Sequence, residues 1–435
     1  MDNLIKELEG LKIAGTIIDE GLWSKCINLV ENNFVPQKEC GNERPCEEKD
    51  FSEYRIIVDR NLNNIKFMLE HIIQSYNETN IRIDYDNILV KTFAMNLIYL
   101  IGEMHEKNIW NTVESVAISK ELTACFCQLY CYLNVSQFLF ENNNLSMILE
   151  KFRYKLQRDN WKTYPSAVAW YKWMLQQLKG LNSSEHIREI LPTSLIIIDD
   201  YVPENVVIGL ECLHQITNYS QPSLKKGFID TGYAEAVYYT LERLAHQRNV
   251  KYVVPLYLCL TNILEMLDMY DNNKNMFEWT KRDEILSILL SHMEFERDVE
   301  LRHAYMLSLP KLLNIGSTKW CEKIARILSD YCEHHTDLRT LKVTLKAGKA
   351  YLAMFNFRIA AHCISLYTAF LKLHFDLIKI PTFDMEIVQY LEDCIYYLYK
   401  YAPNIGCALI KDDRLRIMIK SKVQIQCLGD NKYLE

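Results

Sequence analysis

The sequence predicts an all-α fold, an α-solenoid of degenerate HEAT-like helical pairs. Three observations carry that reading. Apolar residues advance by three or four along most of the chain; turn formers are scarce, with 13 Gly and 10 Pro in 435 residues; and four segments beyond residue 190 recur at a spacing of about 40 to 50. An all-β chain of this length would need more Gly and Pro to make its turns.

Taken in order, Leu22, Cys26, Leu29 and Val30 mark a first helix, and Leu62, Ile65, Leu69, Ile72, Ile73 and Tyr76 a longer one. Between them FVPQKECGNERPCEEKD, residues 34 to 50, is polar and broken by Pro36, Gly41 and Pro45, which predicts a mobile loop. An aromatic-rich stretch, WKTYPSAVAWYKWML, precedes a break at GLNSSE, residues 180 to 185. The expected organisation is a helical region over 1–180 and a HEAT-like solenoid over 181–435.

Pro192 suits the first turn of a helix, LPTSLIII, that ends at Asp199 and Asp200; Pro203 opens the next. From there DDYVPENVVIGLECLHQI, RNVKYVVPLYLCLTNIL, RDVELRHAYMLSLPKLL and TDLRTLKVTLKAGKAYL share a layout, an acid or Asn in a turn followed by an apolar helix. Their centres at Gly209, Val254, Ala304 and Leu345 lie 45, 50 and 41 residues apart. HEAT repeats have a period of about 40 to 47, because a two-helix unit buries its apolar face only against its neighbours. Asp298 and Arg302 are spaced to pair at i, i+4 or to reach the next repeat. DNNKN, 271 to 275, is expected to join two helices.

A net charge of −7 gives no electrostatic reason to approach phosphate backbones. We expect no nucleic-acid partner, and with neither a leader-like start nor an apolar run of about 18 residues we expect a cytoplasmic and nuclear protein without a membrane span. Most of the 14 cysteines, among them Cys212, Cys259 and Cys363, fall in apolar helical stretches and read as core residues.

The candidate sites are weighed against plainer roles. The aliphatic run ending in Asp199-Asp200 resembles a strand that delivers carboxylates to a cation, but no GxxxxGK[ST] loop accompanies it, and Gly348-Lys349 lacks the leading Gly and the hydroxyl. The plainer reading puts both acids in a repeat turn near a helix N-terminus, free to face a partner, so that Asp200→Ala costs about 1 kcal/mol or less. Cys125, Cys127 and Cys131 have no second half-site for zinc and are expected to pack in the core; Cys40 and Cys46 are only two thiols in the polar loop. His292, His303 and His334-His335 make no HExxH, and no GxSxG elbow is present. No catalytic residue, metal or cofactor is assigned. The 27 Tyr, 16 Phe and 7 Trp are mostly core, exposed ones marking contacts.

Two blocks carry a family resemblance. LPTSLIIIDDYVPENVVIGLECLHQI, 191 to 216, matches at Leu191-Pro192, Leu195, Asp199-Asp200, Gly209, Cys212-Leu213 and Ile216. ILSILLSHMEFERDVELRHAYMLSLPKLLNIG, 285 to 316, matches at His292-Met293-Glu294, Leu301-Arg302, Tyr305, Leu309-Pro310 and Gly316. In spacing and order these resemble the C-terminal region of the TELO-two-interacting protein 2 family, with Gln215 standing where many relatives have a second His after His214. The resemblance covers roughly residues 185 to 350.

It implies a non-catalytic HEAT-repeat scaffold of the TTT cochaperone complex. Such a subunit joins two larger helical-solenoid subunits and, with the Hsp90 machinery, supports maturation and stability of phosphatidylinositol-3-kinase-related kinases in DNA-damage and growth signalling. Asp199, Asp200, Tyr201, His214, Glu294, Arg302 and Tyr305 are then the candidate partner-contact or repeat-turn residues. Two alternatives stand beside it: a transport or phosphatase adaptor of HEAT type, and a metal- or nucleotide-dependent enzyme using Asp199 and Asp200.

Overall fold

The computed structural model describes residues 19–79, 83–178, 186–218, 222–270, 278–334, 336–378 and 384–402. Among these residues there are eighteen α-helices and no strand, so the chain is all-α. The expected breaks at 180 to 185 and 271 to 275, and His335, lie outside the described residues. The described residues form two compact units, one drawn from 19–200 with 218 and 222–228, the other from 201–217 with 229–402.

The first unit is built around α3 (Ile88–Glu103), whose residues from Phe93 onward are all buried. Helix α1 (Glu20–Glu31) lies along it, as do α4 (Val113–Leu129) and α7 (Pro165–Gln177), while α2 (Ser52–Thr79) packs on α4. Gly102 permits the close approach of α7: a Cβ there would stand 2.5 Å from the rings of both Trp170 and Trp173. The neighbouring Glu103 is a fully buried carboxylate, and its oxygens accept from the Val35 amide at 3.1 Å and the Ser166 hydroxyl at 2.7 Å. Burial raises its pKa despite Lys155 and these donors. Short helices α5 (Val135–Phe140) and α6 (Asn144–Phe152) pair, and α6 meets α8 (Ile187–Ile198).

Pro192 does not open α8. Ile187, Ile190 and Leu191 are buried, and that packing extends the helix five residues upstream, leaving Pro192 in its interior. A proline there forfeits one intrahelical hydrogen bond. Nearby polar support comes from the Tyr171 hydroxyl, which donates to the Ile190 carbonyl at 2.5 Å and stands 2.8 Å from Ser194 Oγ.

Residues 34 to 50 are not the mobile loop that their composition predicts. Two 3-10 turns, Glu39–Asn42 and Glu48–Phe51, give the segment a fixed path. The Lys38 amide donates to the Thr163 carbonyl at 3.0 Å, and Phe51 is buried. Gly41 lies so close to the chain at Lys162 that a Cβ would fall 2.0 Å from the Lys162 carbonyl oxygen.

The second unit is a two-layer stack. Its first layer is α11 (Tyr233–Ala245), α13 (Lys281–Glu294), α15 (Cys321–Glu333) and α17 (Ile359–Ile378), each packed on the next. Its second is α9 (Pro203–Thr217), α12 (Val250–Tyr270), α14 (Val299–Leu312), α16 (Leu338–Met354) and α18 (Met385–Tyr401). The hairpins α11–α12, α13–α14, α15–α16 and α17–α18 join the layers. This is the shared-core arrangement expected of helical repeats. Gly209, Val254, Ala304 and Leu345, the centres read from the sequence, all fall in the second layer. Helix α10 (Pro222–Asp230) lies between α9 and α11 in the chain.

Hydrogen bonds and ion pairs show that second-layer helices run parallel. Between α9 and α12 the linked residues are Glu204 with Lys251, Leu210 with Cys259 and Thr217 with Asn262, spaced 47, 49 and 45 residues apart. Between α16 and α18 they are Lys342 with Glu386, Leu345 with Cys394 and Lys349 with Asp393, spaced 44, 49 and 44.

One expectation fails at α12. Its stretch Val250–Met269 is long and apolar enough to cross a membrane, with a mean hydropathy of 1.4 over 20 residues. Within it Val253, Leu256, Leu260, Ile263 and Leu264 are buried against the neighbouring helices, while Val250 and Met269 at its ends are exposed.

Candidate functional site

The seven candidate residues fall into three separate groups. Asp199 ends α8 and accepts from Arg158 Nη2 at 2.9 Å; Asp200 follows and takes the Lys162 ammonium, its Oδ1 lying 2.6 Å from Nζ. The Asp200 side chain is 3% exposed. The acids therefore hold two different cations at one corner of the first unit, and Asp200 is not the solvent-facing turn residue its sequence context suggests. Tyr201 is exposed.

His214, on α9, is half-buried, and its Nδ1 lies 3.3 Å from the amide nitrogen of Asn262 on α12. Burial and then Lys311 lower its pKa, which favours neutral imidazole. The pair links adjacent second-layer helices.

Glu294, at the end of α13, takes Arg326 of α15 and also Lys323, the latter at 3.3 Å. Arg302 does not use Asp298, whose carboxylate caps α14 by accepting from the Leu301 amide at 3.0 Å. Its guanidinium instead lies 4.2 Å from the ring centre of Tyr331 on α15, the second of the two arrangements the spacing allowed. Tyr305 is buried beside His292. Glu294 and Arg302 thus join one repeat to the next, whereas Tyr305 packs across the α13–α14 hairpin within its own repeat.

What sequence reasoning missed is an edge. Each second-layer helix from α12 onward opens with an Asn or Asp, an apolar residue and a charged one: Asn249-Val250-Lys251, Asp298-Val299-Glu300, Asp337-Leu338-Arg339 and Asp384-Met385-Glu386. The first residue is the N-cap, with its side-chain oxygen accepting an amide hydrogen bond at 2.9 to 3.1 Å. The second faces solvent, Val250 at 41%, Val299 at 50%, Leu338 at 42% and Met385 at 71%. The third pairs across the edge: Lys251 with Glu204, Arg339 with Glu300 at 2.9 Å, Glu386 with Lys342. Between α12 and α14 the link is Arg248 with Glu296, a carboxylate held low by Arg248 and by the Arg297 and Asp298 amides against the opposing effect of burial. Phe295 projects beside it, 78% exposed. The recurring triplet is the signal that would have found this edge.

The cysteines divide differently from the expectation. Cys212, Cys259 and Cys363 are buried. Cys125 and Cys127 are only half-buried, and Cys131 is exposed in a left-handed turn with φ 58°, so they are not core. Among the described residues, one group could hold a metal ion, Cys40 with Cys46 and Asp50.

No family model matches the chain. Three curated relatives do. Human TELO2-interacting protein 2 is 26% identical over 327 residues, the rat protein 27% over 322 and the mouse protein 26% over 322. Each match spans 69% of this chain and 62% of the relative, so the chain matches less than two thirds of their length. A solved structure of an engineered protein aligns over 92% of this chain and 99% of its own at 11% identity, with a TM-score of 0.38, too loose to bear on the fold.

Proposed function

The chain belongs to the TELO2-interacting protein 2 family, and from that membership we propose that it is a non-catalytic scaffold that binds a TELO2-like helical protein as a subunit of a TTT-type assembly. The observation that carries the reading is the match to three relatives whose name states what they interact with. The finer role, support of phosphatidylinositol-3-kinase-related kinases together with a second large solenoid subunit and the Hsp90 machinery in cytoplasm and nucleus, is part of the same proposal.

The second-layer edge supports it physically. Four solvent-facing apolar residues alternate with paired charges along one side of a rigid stack, and an interface needs apolar anchors ringed by polar groups. Charges already paired within the edge can rearrange toward a partner at little cost, since exposed ion pairs contribute little individually. We assign the TELO2-like partner to this edge.

The enzyme alternative is disfavoured by the first group of residues. Asp199 and Asp200 each hold a separate cationic side chain, so a magnesium ion would have to displace Arg158 and Lys162. Calorimetry with magnesium and ATP should give no heat that Asp200→Asn removes.

The decisive test is co-purification of the tagged full chain from cell extract at moderate salt. A TELO2-like protein should be retained, and Val299→Asp with Leu338→Asp should release it while the circular dichroism stays unchanged. Recovery of the wild-type chain alone would overturn the reading.

A further inference from the structure

The 34–50 segment carries a cluster that none of the roles above uses. One ligand atom from each of Cys40, Cys46 and Asp50 lies within 4.8 Å of the others. Cys40 sits in the 3-10 turn Glu39–Asn42 and Asp50 in the turn Glu48–Phe51, with Cys46 on the strap between them. All three are partly accessible.

The cluster is held from outside. Arg44 grips Asp50 with two parallel hydrogen bonds, Nη2 to Oδ1 at 2.7 Å and Nη1 to Oδ2 at 2.8 Å, and the Glu47 amide donates to Oδ2 at 2.8 Å. The Arg44 contact keeps the Asp50 carboxyl far below the usual carboxylate range. Oδ1 has one hydrogen-bond donor and keeps a lone pair. Below the cluster, the Lys38 amide and the close approach of Gly41 fasten the segment to residues 162 and 163. A carboxylate oriented by a second group, on a backbone path that is fixed beforehand, is how protein metal ligands are commonly presented.

We propose that Cys40, Cys46 and Asp50 bind a thiophilic divalent cation of the zinc class, with water in the fourth position. Charge closes around such an ion: two thiolates and a carboxylate bring three negative charges, and the cation with Arg44 brings three positive ones. Distance closes as well. Zinc bonds of about 2.3 Å to sulfur and 2.0 to 2.2 Å to oxygen place tetrahedral donors about 3.5 to 3.8 Å apart, so the three ligands, within 4.8 Å of one another, approach by at most about 1.3 Å. Each thiol loses one proton as its bond to the metal forms, so two protons go to solvent per ion bound. In the metal-free chain burial, with Cys40 adding to it, pushes the Cys46 thiol up to about 11.

This inference does not depend on the scaffold reading. The test uses the full chain, reduced and stripped of metal, titrated with Co²⁺ and then Zn²⁺. One equivalent of Co²⁺ should give a thiolate-to-cobalt charge-transfer band that Zn²⁺ abolishes, with two protons released. Cys40→Ser and Cys46→Ser should each weaken the band and the affinity; Arg44→Gln, which leaves all three ligands, should lower affinity by about 10- to 100-fold. Cys131→Ser, at an exposed thiol elsewhere, should leave the band intact. Circular dichroism confirms that each variant folds. A band that survives both Cys40→Ser and Cys46→Ser would overturn the assignment. So would a folded wild-type chain that shows no band, including one in which mild peroxide joins Cys40 to Cys46 but no cation binds.

Discussion

The coupling between successive repeats is most directly tested at Asp283. This residue is the third of α13, and its side chain is 4% exposed. It closes a capping box with Thr280, accepting from the Thr280 amide at 2.9 Å and hydroxyl at 2.8 Å. It also reaches the start of the next repeat, taking Lys319 Nζ at 2.7 Å and Trp320 Nε1 at 2.8 Å. Asp283→Ala removes the capping box, worth about 0.5 to 2 kcal/mol, and leaves the Trp320 N–H without its acceptor, worth about 1 to 3 kcal/mol. Lys319 is one-third exposed and recovers solvation, so the combined loss should be about 2 to 4 kcal/mol. Burial acts to raise the Asp283 carboxyl, but Lys319, the Thr280 amide and Trp320 together hold it below its ordinary value. A carboxyl depressed in the folded state contributes stability that is present above its unfolded pKa and is lost as pH falls through the folded one. Urea unfolding of the second unit, followed by hydrogen exchange in α13 to α15 peptides, should show the full loss at pH 7. The difference between wild type and variant should shrink below about pH 4. A loss under about 1 kcal/mol, or one independent of pH, would refute the claim that this carboxylate ties repeat to repeat.

Four further substitutions have expected outcomes. Leu213→Ala, at a fully buried position of α9, should cost about 2 to 5 kcal/mol; Asp200→Ala should cost about 1 to 3 kcal/mol, because it removes a carboxylate side chain that is 3% exposed and bonded to the Lys162 ammonium, and both are read from urea midpoints. Gly41→Ala should lift the 34–50 segment off Lys162, destabilising the first unit by about 1 to 3 kcal/mol and speeding proteolysis within that segment. Arg339→Ala, at an exposed pair, should change stability by under about 1 kcal/mol while weakening partner retention in the co-purification assay.

The fold class was legible because helical periodicity and scarce turn residues are local properties of the chain. The repeat was legible in one layer only, and the caps show why. Second-layer helices α12, α14, α16 and α18 each open on an Asn or Asp at a fixed offset. First-layer helices open differently: α11 on Gly232 with φ 73°, α13 on Thr280, and α15 on Trp320 without a side-chain cap. Nothing repeats there for the eye to align. Pro192 misled because a proline's preference for a first turn is weaker than the burial of Ile187, Ile190 and Leu191. Loop 34–50 misled because composition reports polarity and not what a backbone leans on; Gly41 is there for contact with Lys162. Asp50 escaped notice as a companion of Cys40 and Cys46 because a 3-10 turn, not a recognisable ligand spacing, brings it to them.

The charge order along the second-layer edge needs an explanation beyond solubility. The third residue of the triplet, with Glu204 at the matching place in α9, runs Glu204, Lys251, Glu300, Arg339, Glu386. All five stand at helix N-termini, where the backbone favours acids and disfavours bases. Lys251 and Arg339 are therefore locally unfavourable, and each is offset by the acid on the preceding helix. Sliding one helix past its neighbour by a single repeat would set acid beside acid and base beside base, so the alternation discriminates against misregistered stacking, which the near-uniform apolar interior would tolerate. That device acts through the charged residues alone. The apolar residues between them contribute nothing to the register and almost nothing to the core, and four helices whose first apolar residue is left in solvent fit the proposal of a surface that a second helical protein covers.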